Sequence, residues 1–367
     1  MSIISLERNP KLKIGLEQYA LTMPVKTREQ LWKVAFQTFE KLGAPYWNAD
    51  LVAKLLVKAN LVGHDSHGII RVPQYVERIR NKALDPAAEI RVVKDGGATM
   101  LIDGCWGFGQ VAAWRTMEKT INKAKEFGIC ISAIFNCNHI GRLADYSSIP
   151  LGHSMIGFVM CNGPARVAPF GGAERLFNPS PLSVAIPALE EKPIVLDIST
   201  SVVAEGKLMV KRKRHENLPE GWILDKDGRA SVNIEDYFEG GSILPLGGAV
   251  GYKGFGLALI IDVLAGILTG TGYASSPNFK NGNGVILGAM DVSHFRNVDE
   301  FKKEVDELIR KVRGSRKAPG FYEILIPGEP EAREEARRTR DGIYVEEETW
   351  KELLELGIEL GIDVSAW

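Results

Sequence analysis

The period of the hydrophobic pattern changes twice along the chain, and this change restricts the possible folds more than any other feature. The first quarter has helical spacing, with Thr27 as the predicted cap of a first helix and Gly43 as its end. The middle has short apolar runs bounded by Gly, Asn and Pro, which are typical of strands. These runs are residues 99–102, 129–135, 156–161, 183–186 and 194–196. The tail returns to helical spacing at 299–313, 330–340 and 347–360, around one strand-like run at 321–326.

Further helices are predicted at 48–62 and 73–80, and two more lie among the strands at 111–126 and 253–268. The pattern therefore predicts an α/β fold in which helical chain ends enclose an α/β middle. We place the boundaries near residues 90 and 295, so that 1–90 plus 295–367 form a helical domain and 91–294 form an α/β domain. The most apolar stretch, 256–268, is shorter than the roughly 20 residues that cross a bilayer, and we predict a buried helix there.

Charge and cysteine content argue against several classes of protein. Lys and Arg total 45 against 46 Asp and Glu, and the resulting net charge of −1 argues against a nucleic-acid partner. Four cysteines in 367 residues make neither a disulfide framework nor a CxxC zinc motif, although a single bridge is an alternative. The first twenty residues lack the features of a signal peptide. We therefore expect a cytoplasmic protein with reduced thiols and no membrane partner.

The densest group of polar residues is GHDSHGIIR at 63–71. His67 suits general acid–base chemistry because the pKa of an imidazole lies near neutrality. Arg71 can hold a carboxylate through two parallel hydrogen bonds. Together they predict a site for a small 2-keto or 2-hydroxy acid. The structural alternative is a helix end at which His64 and Asp65 serve as polar caps.

Two polar segments follow predicted strands. One is NCNHIGR at 136–142, which contains His139, and the other runs from Asp197 through Ser199. Open α/β sheets bind ligands at the carboxyl ends of strands. Asp197 suits the orientation of a catalytic imidazole, and the hydroxyl groups that follow suit phosphate or ribose oxygens. Helix capping is the structural alternative for His139 and Ser199.

Glycines flank Lys253 in the segment GGAVGYKGFG at 247–256, where the backbone can approach a pyrophosphate and the ammonium supplies charge. No GxGxxG follows a strand and opens a helix, so a dinucleotide would bind without the Rossmann fingerprint. The basic run KRKRH at 211–215 is predicted to be a solvated face, with a 2′-phosphate contact as the alternative.

Six segments, in this order, resemble the type 2 malate/L-lactate dehydrogenase family of NAD(P)-dependent oxidoreductases. They are GHDSHGIIRVPQY, NHIGR, LDISTSVVAEGK, LPEGWILDKDG, LPLGGAVGYKGFGLALIIDVLAG and LIPGEPEAR. The family includes ureidoglycolate, sulfolactate and hydroxycarboxylate dehydrogenases and a piperideine-carboxylate reductase. The resemblance extends from about residue 28 to residue 360, which is nearly the whole chain.

The resemblance implies a non-Rossmann NAD(P)-binding α/β domain inserted between chain ends that form a helical domain, and it implies a homodimer. It implies that Ser66 and His67 form a catalytic pair with His67 as proton donor, and that Arg71 binds the substrate carboxylate. His139 matches the position to which ureidoglycolate-type members assign acid–base work. The cofactor contacts implied are Gly163, Asp197, Ile198, Ser199, Lys253, Pro327, Gly328 and Glu329.

Two loops depart from the family pattern. Residues 178–181 read NPSP where many members read GTNP, and because proline lacks an N–H, a contact made by this loop is lost or moved. The loop GGAVGYKG is longer than the common GGHKG or EHKG. Its missing histidine leaves the fit around Lys253 open.

We therefore expect an NAD- or NADP-dependent dehydrogenase that transfers a hydride between the nicotinamide and C2 of a small 2-hydroxy or 2-keto acid. In this hypothesis Ser66 and Asp197 support His67. The alternatives are an imine reductase of the same family, a hydrolase with zinc on His64, His67 and His139, and a binding protein without activity. No metal is expected in the dehydrogenase, and the identity of the acid and of the nicotinamide cofactor stays open.

Overall fold

A computed structural model describes residues 25–213 and 216–367, which form two compact units. One unit comprises the described residues up to Ala87 together with Glu331–Trp367, and the other is Ala88–Pro330. The sequence places the second boundary near residue 295, whereas the contacts place it after Pro330. The reason is the packing of 298–326, which is given below.

In the described residues the helices, in chain order, are α1 (Arg28–Lys41), α2 (Tyr46–Leu61), α3 (Val72–Arg80), α4 (Gly109–Phe127), α5 (Ala144–Ser147), α6 (Glu205–Lys213), α7 (Ile234–Phe238), α8 (Tyr252–Ile261), α9 (Val298–Arg313), α10 (Glu329–Asp341) and α11 (Glu347–Glu359). The strands are β1 (Val25–Lys26), β2 (Arg91–Asp95), β3 (Thr99–Asp103), β4 (Ile129–Cys137), β5 (Met155–Cys161), β6 (Leu182–Ile186), β7 (Ile194–Ile198), β8 (Ile223–Leu224), β9 (Ala230–Ser231), β10 (Ser242–Ile243), β11 (Asn283–Asp291) and β12 (Ile343–Tyr344).

The first unit is helical and begins as its sequence predicts. Thr27 Oγ1 accepts the N–H of Gln30 at 3.2 Å, and Gln30 Oε1 accepts the N–H of Thr27 at 2.9 Å, so that a capping box starts α1. Gly43 ends the turn after α1 with a φ of +92°, which favours glycine. The antiparallel pair β1–β12 joins the two chain segments of this unit.

The second unit contains a seven-stranded mixed sheet in the order β2-β3-β4-β11-β5-β6-β7. The β3–β4 pair is parallel and the other neighbouring pairs are antiparallel. Strands β4, β5 and β7 therefore run in one direction and end at the same edge of the sheet. We call this the carboxyl edge; its strand ends are Cys137, Cys161 and Ile198, and the starts of β6 and β11 are Leu182 and Asn283.

Helix α9 belongs to the α/β unit because its apolar face packs on the sheet. Val305 and Ile309 form a buried cluster with Ile326, and Ile186 and Ile194 from β6 and β7 pack against it. This packing draws the chain up to Pro330 into the second unit. The boundary was predicted near 295 because the residues of β6 and β7 on which the apolar face of α9 packs cannot be identified from the sequence.

Most predicted elements are present with shifts of one or two residues, and the strand expected at 321–326 is a correction. This segment is irregular, and Tyr322 is 95% exposed while Ile326 is buried. Its apolar residues point to different surroundings instead of alternating across a sheet. Strand β2, which the sequence did not predict, is exposed throughout and so has no apolar face to signal it.

The helix predicted at 256–268 is present, but the prediction that it is buried is wrong. Helix α8 continues as a π-helical turn at Asp262–Ile267, and Ala258, Ile261 and Ala265 face the core. The opposite side is exposed and apolar, and we call it the α8 face; its residues are Leu257, Leu259, Ile260, Val263, Ile267 and Leu268. An apolar surface of this size is unusual on an isolated chain. Among the described residues no helix is both long and apolar enough to cross a membrane.

Candidate active site

The segment GHDSHGIIR in the first unit folds into two short 3₁₀ turns, Asp65–His67 and Ile69–Arg71. Asn60, at the end of α2, holds them in place: its Oδ1 accepts the N–H of Ile69 at 2.8 Å and its Nδ2 donates to Asp65 Oδ1 at 2.7 Å. A Cβ on Gly68 would lie 2.2 Å from Asn60 Oδ1. Glycine is therefore required where the loop passes over the asparagine amide.

Three residues predicted to act on the substrate lie together in this segment. Ser66 Oγ is 3.0 Å from His67 Nδ1, so the hydroxyl orients the imidazole through that nitrogen. Arg71 Nε donates to the backbone oxygen of Ser66 at 2.7 Å, and Nη1 donates to Gln74 Oε1 at 2.8 Å. Ser66, His67 and Arg71 are all half-buried. The guanidinium and the imidazole are thus fixed to one short stretch of backbone.

The neighbouring polar residues have structural contacts. Asp65 receives Arg338 Nη1 at 2.6 Å and Nη2 at 3.0 Å, a bidentate pair with α10. His64 Nε2 lies 3.5 Å from Glu331 Oε1. The contacts of His64 and Asp65 are made with side chains of α2 and α10, so these residues stabilise the segment that carries His67 without acting as the predicted helix caps.

His139 lies on the carboxyl edge, directly after β4. The backbone around it is fixed by Asn138 Nδ2, which donates to the carbonyls of Trp106 at 2.8 Å and Gly107 at 3.0 Å, and by the Ile140 N–H, which donates to Asn283 Oδ1 at 3.1 Å. A Cβ on Gly109 would lie 2.4 Å from the His139 carbonyl oxygen, so α4 begins in direct contact with this loop.

Asp197 connects β7 with the segment after His139. Its Oδ2 accepts the N–H of Ala144 at 2.8 Å, which ties the start of α5 to the end of β7. From the sequence, Asp197 is predicted to support His67. Its hydrogen bond with Ala144 indicates a second role, which is to fix the position of the chain five residues after His139.

Residues predicted to contact the cofactor meet on the same edge. The side chain of Asn178 donates to Pro164 O at 3.0 Å, and the N–H and Oγ1 of Thr200 both donate to Pro179 O at 2.8 Å. The NPSP loop thus joins the turn after β7 to the segment after Gly163. A Cβ on Gly163 would lie 2.8 Å from Asn178 Nδ2, so a side chain has no room there. The NPSP sequence departs from the family's GTNP pattern, and the loop makes these contacts through the Pro179 carbonyl and the Asn178 side chain.

The Lys253 loop is anchored to the turn after β7, and the PGE turn is anchored to β7 itself. Leu246, ahead of the exposed Lys253, donates its N–H to Thr200 O at 2.9 Å. Pro327 O accepts the N–H of Val195 in β7 at 2.9 Å, and Gly328 has a φ of +97°. Glu329 Oε1 pairs with Arg313 at 2.7 Å.

Ile198 is partly exposed at the end of β7, and Ser199 Oγ donates to Ser201 O at 3.0 Å. The turn after β7 is therefore ordered by its own hydroxyl groups. All the predicted cofactor contacts lie in the second unit; Gly163, Asp197, Ile198 and Ser199 lie at the carboxyl edge, whereas Pro327, Gly328 and Glu329 lie beside the start of β7.

The basic run has partners of its own. Lys211 pairs with Glu216 at 2.7 Å and Arg212 pairs with Glu235 at 2.5 Å, as expected for a solvated face. Residues 214 and 215 of the run lie outside the described part of the chain.

The cysteines are free thiols, and burial raises the pKa of Cys137 to about 12. Within 25–213 and 216–367 no three His, Cys, Asp or Glu residues come together as a metal site.

The chain matches known proteins over nearly its whole length. A sequence model of the family described as malate/L-lactate dehydrogenase matches residues 27–354. The chain belongs to the malate/L-lactate dehydrogenase family. The resemblance predicted from the six segments is confirmed, and the family is one of NAD(P)-dependent dehydrogenases whose relatives carry the names of 2-hydroxyacid dehydrogenases.

Three relatives illustrate the match, one compared by sequence and two compared by structure. The malate dehydrogenase of Pyrococcus abyssi is 37% identical over 343 residues, covering 91% of this chain and 94% of that protein. The structure of sulfolactate dehydrogenase from Methanocaldococcus jannaschii is similar with a TM-score of 0.85 at 34% identity, covering 94% of this chain and 99% of that one. The Δ1-piperideine-2-carboxylate reductase of Pseudomonas syringae is similar with a TM-score of 0.80 at 27% identity, covering 90% and 99%.

Sequence reasoning missed the buried polar residues that order the loops. Asn60, Asn162, Asp262 and Asn283 are each at most 8% exposed and hydrogen-bonded. A polar residue inside an apolar helix or strand was the available signal, since such groups are rarely buried without a partner.

Proposed function

We propose that this protein is an NAD(P)-dependent dehydrogenase that interconverts a small 2-hydroxy acid and its 2-keto acid. The observation that carries the proposal is the Ser66–His67–Arg71 group, in which an oriented imidazole and a guanidinium share one short segment. An acid–base group beside a carboxylate-binding group suits a substrate whose carboxylate neighbours the reacting carbon. Membership of the family supports this assignment.

Each residue of the first unit has a role in this proposal. Arg71 binds the substrate carboxylate, and His67 donates a proton to the C2 oxygen in reduction and accepts it in oxidation. Ser66 holds His67 through Nδ1, which directs Nε2 toward the proton transfer. His139 is the second candidate for acid–base work and for substrate contact, and Asp197 supports the loop that carries it.

The carboxyl edge of the second unit fits a nicotinamide dinucleotide. Gly163 presents backbone where a side chain cannot be built, and Asp197 and Ser199 offer oxygen atoms of the kind that bind ribose hydroxyls. Lys253, exposed at the start of α8, offers a cation for the phosphates. When bound, the cofactor supplies or accepts the hydride. Gly328, Pro327 and the backbone of Glu329 would complete this set beside β7.

We infer that the cofactor is held without a Rossmann crevice. A Rossmann domain binds dinucleotides where the order of a parallel sheet reverses. Here the neighbouring strand pairs of the sheet, apart from β3–β4, are antiparallel. The ligand groups nevertheless gather at one edge because alternate strands share a direction.

We also infer that the working form is a homodimer in which the α8 face is covered by a second copy. The helix from Tyr252 to Ile267 carries one acidic residue, Asp262, which is buried, and the exposed side has no charge beyond Lys253 at its start. A continuous apolar face of one helix can pair with itself across a two-fold axis. This makes a second copy the occupant that the chain itself provides.

A reductase for cyclic imino acids is the second candidate, and the similarity to the piperideine-carboxylate reductase favours it. Such a substrate has a carboxylate beside a C=N bond, so Arg71 would serve it equally. The groups that distinguish an imine from a ketone are not evident from the Ser66–His67 pair.

A spectrophotometric screen tests the proposal. The purified chain is assayed for oxidation of NADH and of NADPH at 340 nm with pyruvate, oxaloacetate, sulfopyruvate, other 2-keto acids and cyclic imino acids. We expect turnover with at least one 2-keto acid and no loss of activity on chelation of metal ions. Turnover confined to cyclic imines would establish the second candidate, and hydrolysis that depends on zinc would overturn both.

A further inference from the structure

Asp262 is a buried carboxylate in the most apolar helix of the chain, and the roles proposed so far do not include it. It is 4% exposed and lies where α8 passes into its π-helical turn. Its Oδ1 accepts Asn162 Nδ2 at 3.0 Å, and the N–H of Ala274 lies 3.1 Å from each of its oxygens. Burial raises the pKa of Asp262. A carboxylate in such surroundings is retained at a cost in free energy, which calls for a reason.

Asn162 is the residue that Asp262 holds, and it directly precedes Gly163. Asn162 Nδ2 also donates to Gly272 O at 2.9 Å, and its Oδ1 accepts the N–H of Gly284 at 2.9 Å. The amide of Asn162 is therefore engaged at both ends. Its orientation is fixed, because turning the amide over would place a donor against the Gly284 N–H.

The network continues to the His139 loop. Asn283 Nδ2 donates to Asn162 O at 2.6 Å, and Asn283 Oδ1 accepts the N–H of Ile140 at 3.1 Å. One chain of hydrogen bonds thus runs from Asp262 through Asn162 and Asn283 to the residue after His139.

The backbone around this network is closely packed. A Cβ on Gly284 would lie 1.8 Å from Ala265 O, and a Cβ on Gly266 would lie 2.4 Å from Asn162 Nδ2. Strand β11 and the π-helical turn therefore touch through glycine. Because these glycines leave no room for side chains, the hydrogen bonds that fix the two loops come from the side-chain amides of Asn162 and Asn283.

We propose that Asp262 is a positioning residue that fixes the Gly163 and His139 loops in the geometry that binds the nicotinamide cofactor. The proposal rests on the proposed function, in which the cofactor lies on the carboxyl edge. Asp262 acts through Asn162 and Asn283 and does not touch the cofactor itself. Its place on the helix of the α8 face means that the same helix supports both the cofactor loops and the proposed dimer contact.

Asp262→Asn tests the proposal because it keeps the size and removes the charge. An asparagine offers one acceptor oxygen where the carboxylate offers two, and in either orientation its NH₂ group faces the Ala274 N–H, which is itself a donor. Asp306→Asn is the matched control. Asp306 is 2% exposed and accepts the backbone N–H groups of Leu189, Glu190 and Glu191, so its loss also costs stability, far from the network.

The readouts are the Kd of NADH and NADPH from nicotinamide fluorescence, the KM and kcat for cofactor, and amide hydrogen exchange of the cofactor-free chain. For Asp262→Asn we expect about a tenfold rise in Kd and in the KM for cofactor, as for loss of one charged hydrogen bond, with a smaller change in kcat. Protection of the Gly284 and Ala274 amides should fall. Asp306→Asn should lower the melting temperature and keep the wild-type Kd.

A Kd for Asp262→Asn within twofold of wild type, or an equal loss in Asp306→Asn, would overturn the proposal. A wild-type chain that binds the cofactor but turns over no keto or imino acid would contradict the proposed function alone, and the Kd of Asp262→Asn would still decide the role of Asp262. A wild-type chain that binds neither cofactor would overturn both.

Discussion

The contact between Ser66 and His67 determines which form of the imidazole is ready to react. Ser66 Oγ lies 3.0 Å from Nδ1. In the imidazolium form Nδ1 donates to the hydroxyl, and Nε2 bears the proton that a keto acid needs. When Nε2 has given up this proton, Nδ1 keeps its own and still donates to the hydroxyl, so a serine can hold the ring in both the donor and the acceptor state.

His67 is the proposed proton donor, so its replacement should affect turnover. His67→Asn should lower kcat for keto-acid reduction by about 10²–10⁴-fold, because general acid–base catalysis has this magnitude. Cofactor affinity should be unchanged, since the predicted cofactor contacts lie on the second unit. Steady-state kinetics and a fluorescence titration with NADH measure the two quantities.

Two other histidines serve as controls. His64→Asn removes the neighbouring imidazole, which lies 3.5 Å from Glu331, and should keep most of the activity. His139→Asn tests the other acid–base candidate. Near-wild-type turnover in His67→Asn together with an inactive His139→Asn would assign the proton transfer to His139.

Individual residues of the site were predictable from sequence where their chemistry is local. Ser66, His67 and Arg71 stand within six residues, so their types alone indicate an acid–base and carboxylate site. A carboxylate in an apolar helix marks Asp262 as unusual in the sequence, but its partner could not be predicted, because Asn162 is 100 residues away. A hydrogen bond of that span is decided by the packing of whole strands.

Helix α10 shows how an element far along the sequence orders the segment that carries His67. Arg338 donates to Asp65 and to Asn60 O at 2.7 Å, and Glu334 accepts Arg338 Nε at 2.5 Å. Arg337 also donates to Glu334, at 2.9 and 2.7 Å. Two charged residues of this helix, Arg338 and Glu334, therefore hold the loop of His67 in place.

This arrangement predicts a pH dependence of stability. The hydrogen bond from Arg337, and then those from Arg338, lower the pKa of Glu334 from 4.5 to about 2. Because the pKa is lowered by folding, the ionised carboxylate stabilises the fold above pH 4.5, and this contribution is lost as pH falls toward 2. Glu334→Gln should thus be less stable than wild type at pH 7, with a difference that shrinks below pH 4.5.

Urea denaturation at a series of pH values measures this difference. Glu335→Gln on the same helix is the control; it removes a carboxylate that pairs with Lys58 and leaves the Arg338 contacts in place. A difference between wild type and Glu334→Gln that does not change with pH would show that the contact depends on shape and not on charge.

Elements were predictable where a periodic pattern and a cap agree. Helix α1 has both, with Thr27 and Gln30 at its start and a glycine after its end. The run 321–326 has apolar residues but is irregular; the contact with the edge strand β7 is made by Pro327, directly after the run. Residues 256–268 are apolar on all sides, so the pattern identifies a helix but cannot distinguish a face turned to the core from a face turned to a partner.

The α8 face is the clearest indication of self-association in the described part of the chain. Leu268, Ile260 and Ile267 are 65%, 57% and 55% exposed in a helix that also packs on the sheet through Ala258 and Ile261. Covering these side chains removes apolar area from water. The free energy of association gains about 25 cal/mol for each Å² removed, and this burial is the main source of binding free energy in permanent dimers.

Ile260→Glu should therefore shift the protein toward the monomer in sedimentation velocity or light scattering at micromolar concentration. Leu308→Glu on α9, a residue 55% exposed, is the matched control and should leave the dimer intact. A wild-type chain that sediments as a monomer would contradict the proposed homodimer, and an Ile260→Glu variant that stays dimeric would contradict the α8 face as its interface.

The position of β11 in the sheet has a consequence for how the chain reaches its fold during synthesis. This strand, Asn283–Asp291, pairs with both β4 and β5, yet it leaves the ribosome more than 120 residues after β5 ends at Cys161. Until it arrives, β4 and β5 each lack one neighbour, and the two halves of the sheet cannot join. Such non-local pairing is slow, and unpaired strand edges are prone to aggregation. The nascent chain therefore depends most on protection by chaperones in the interval before residue 291 emerges.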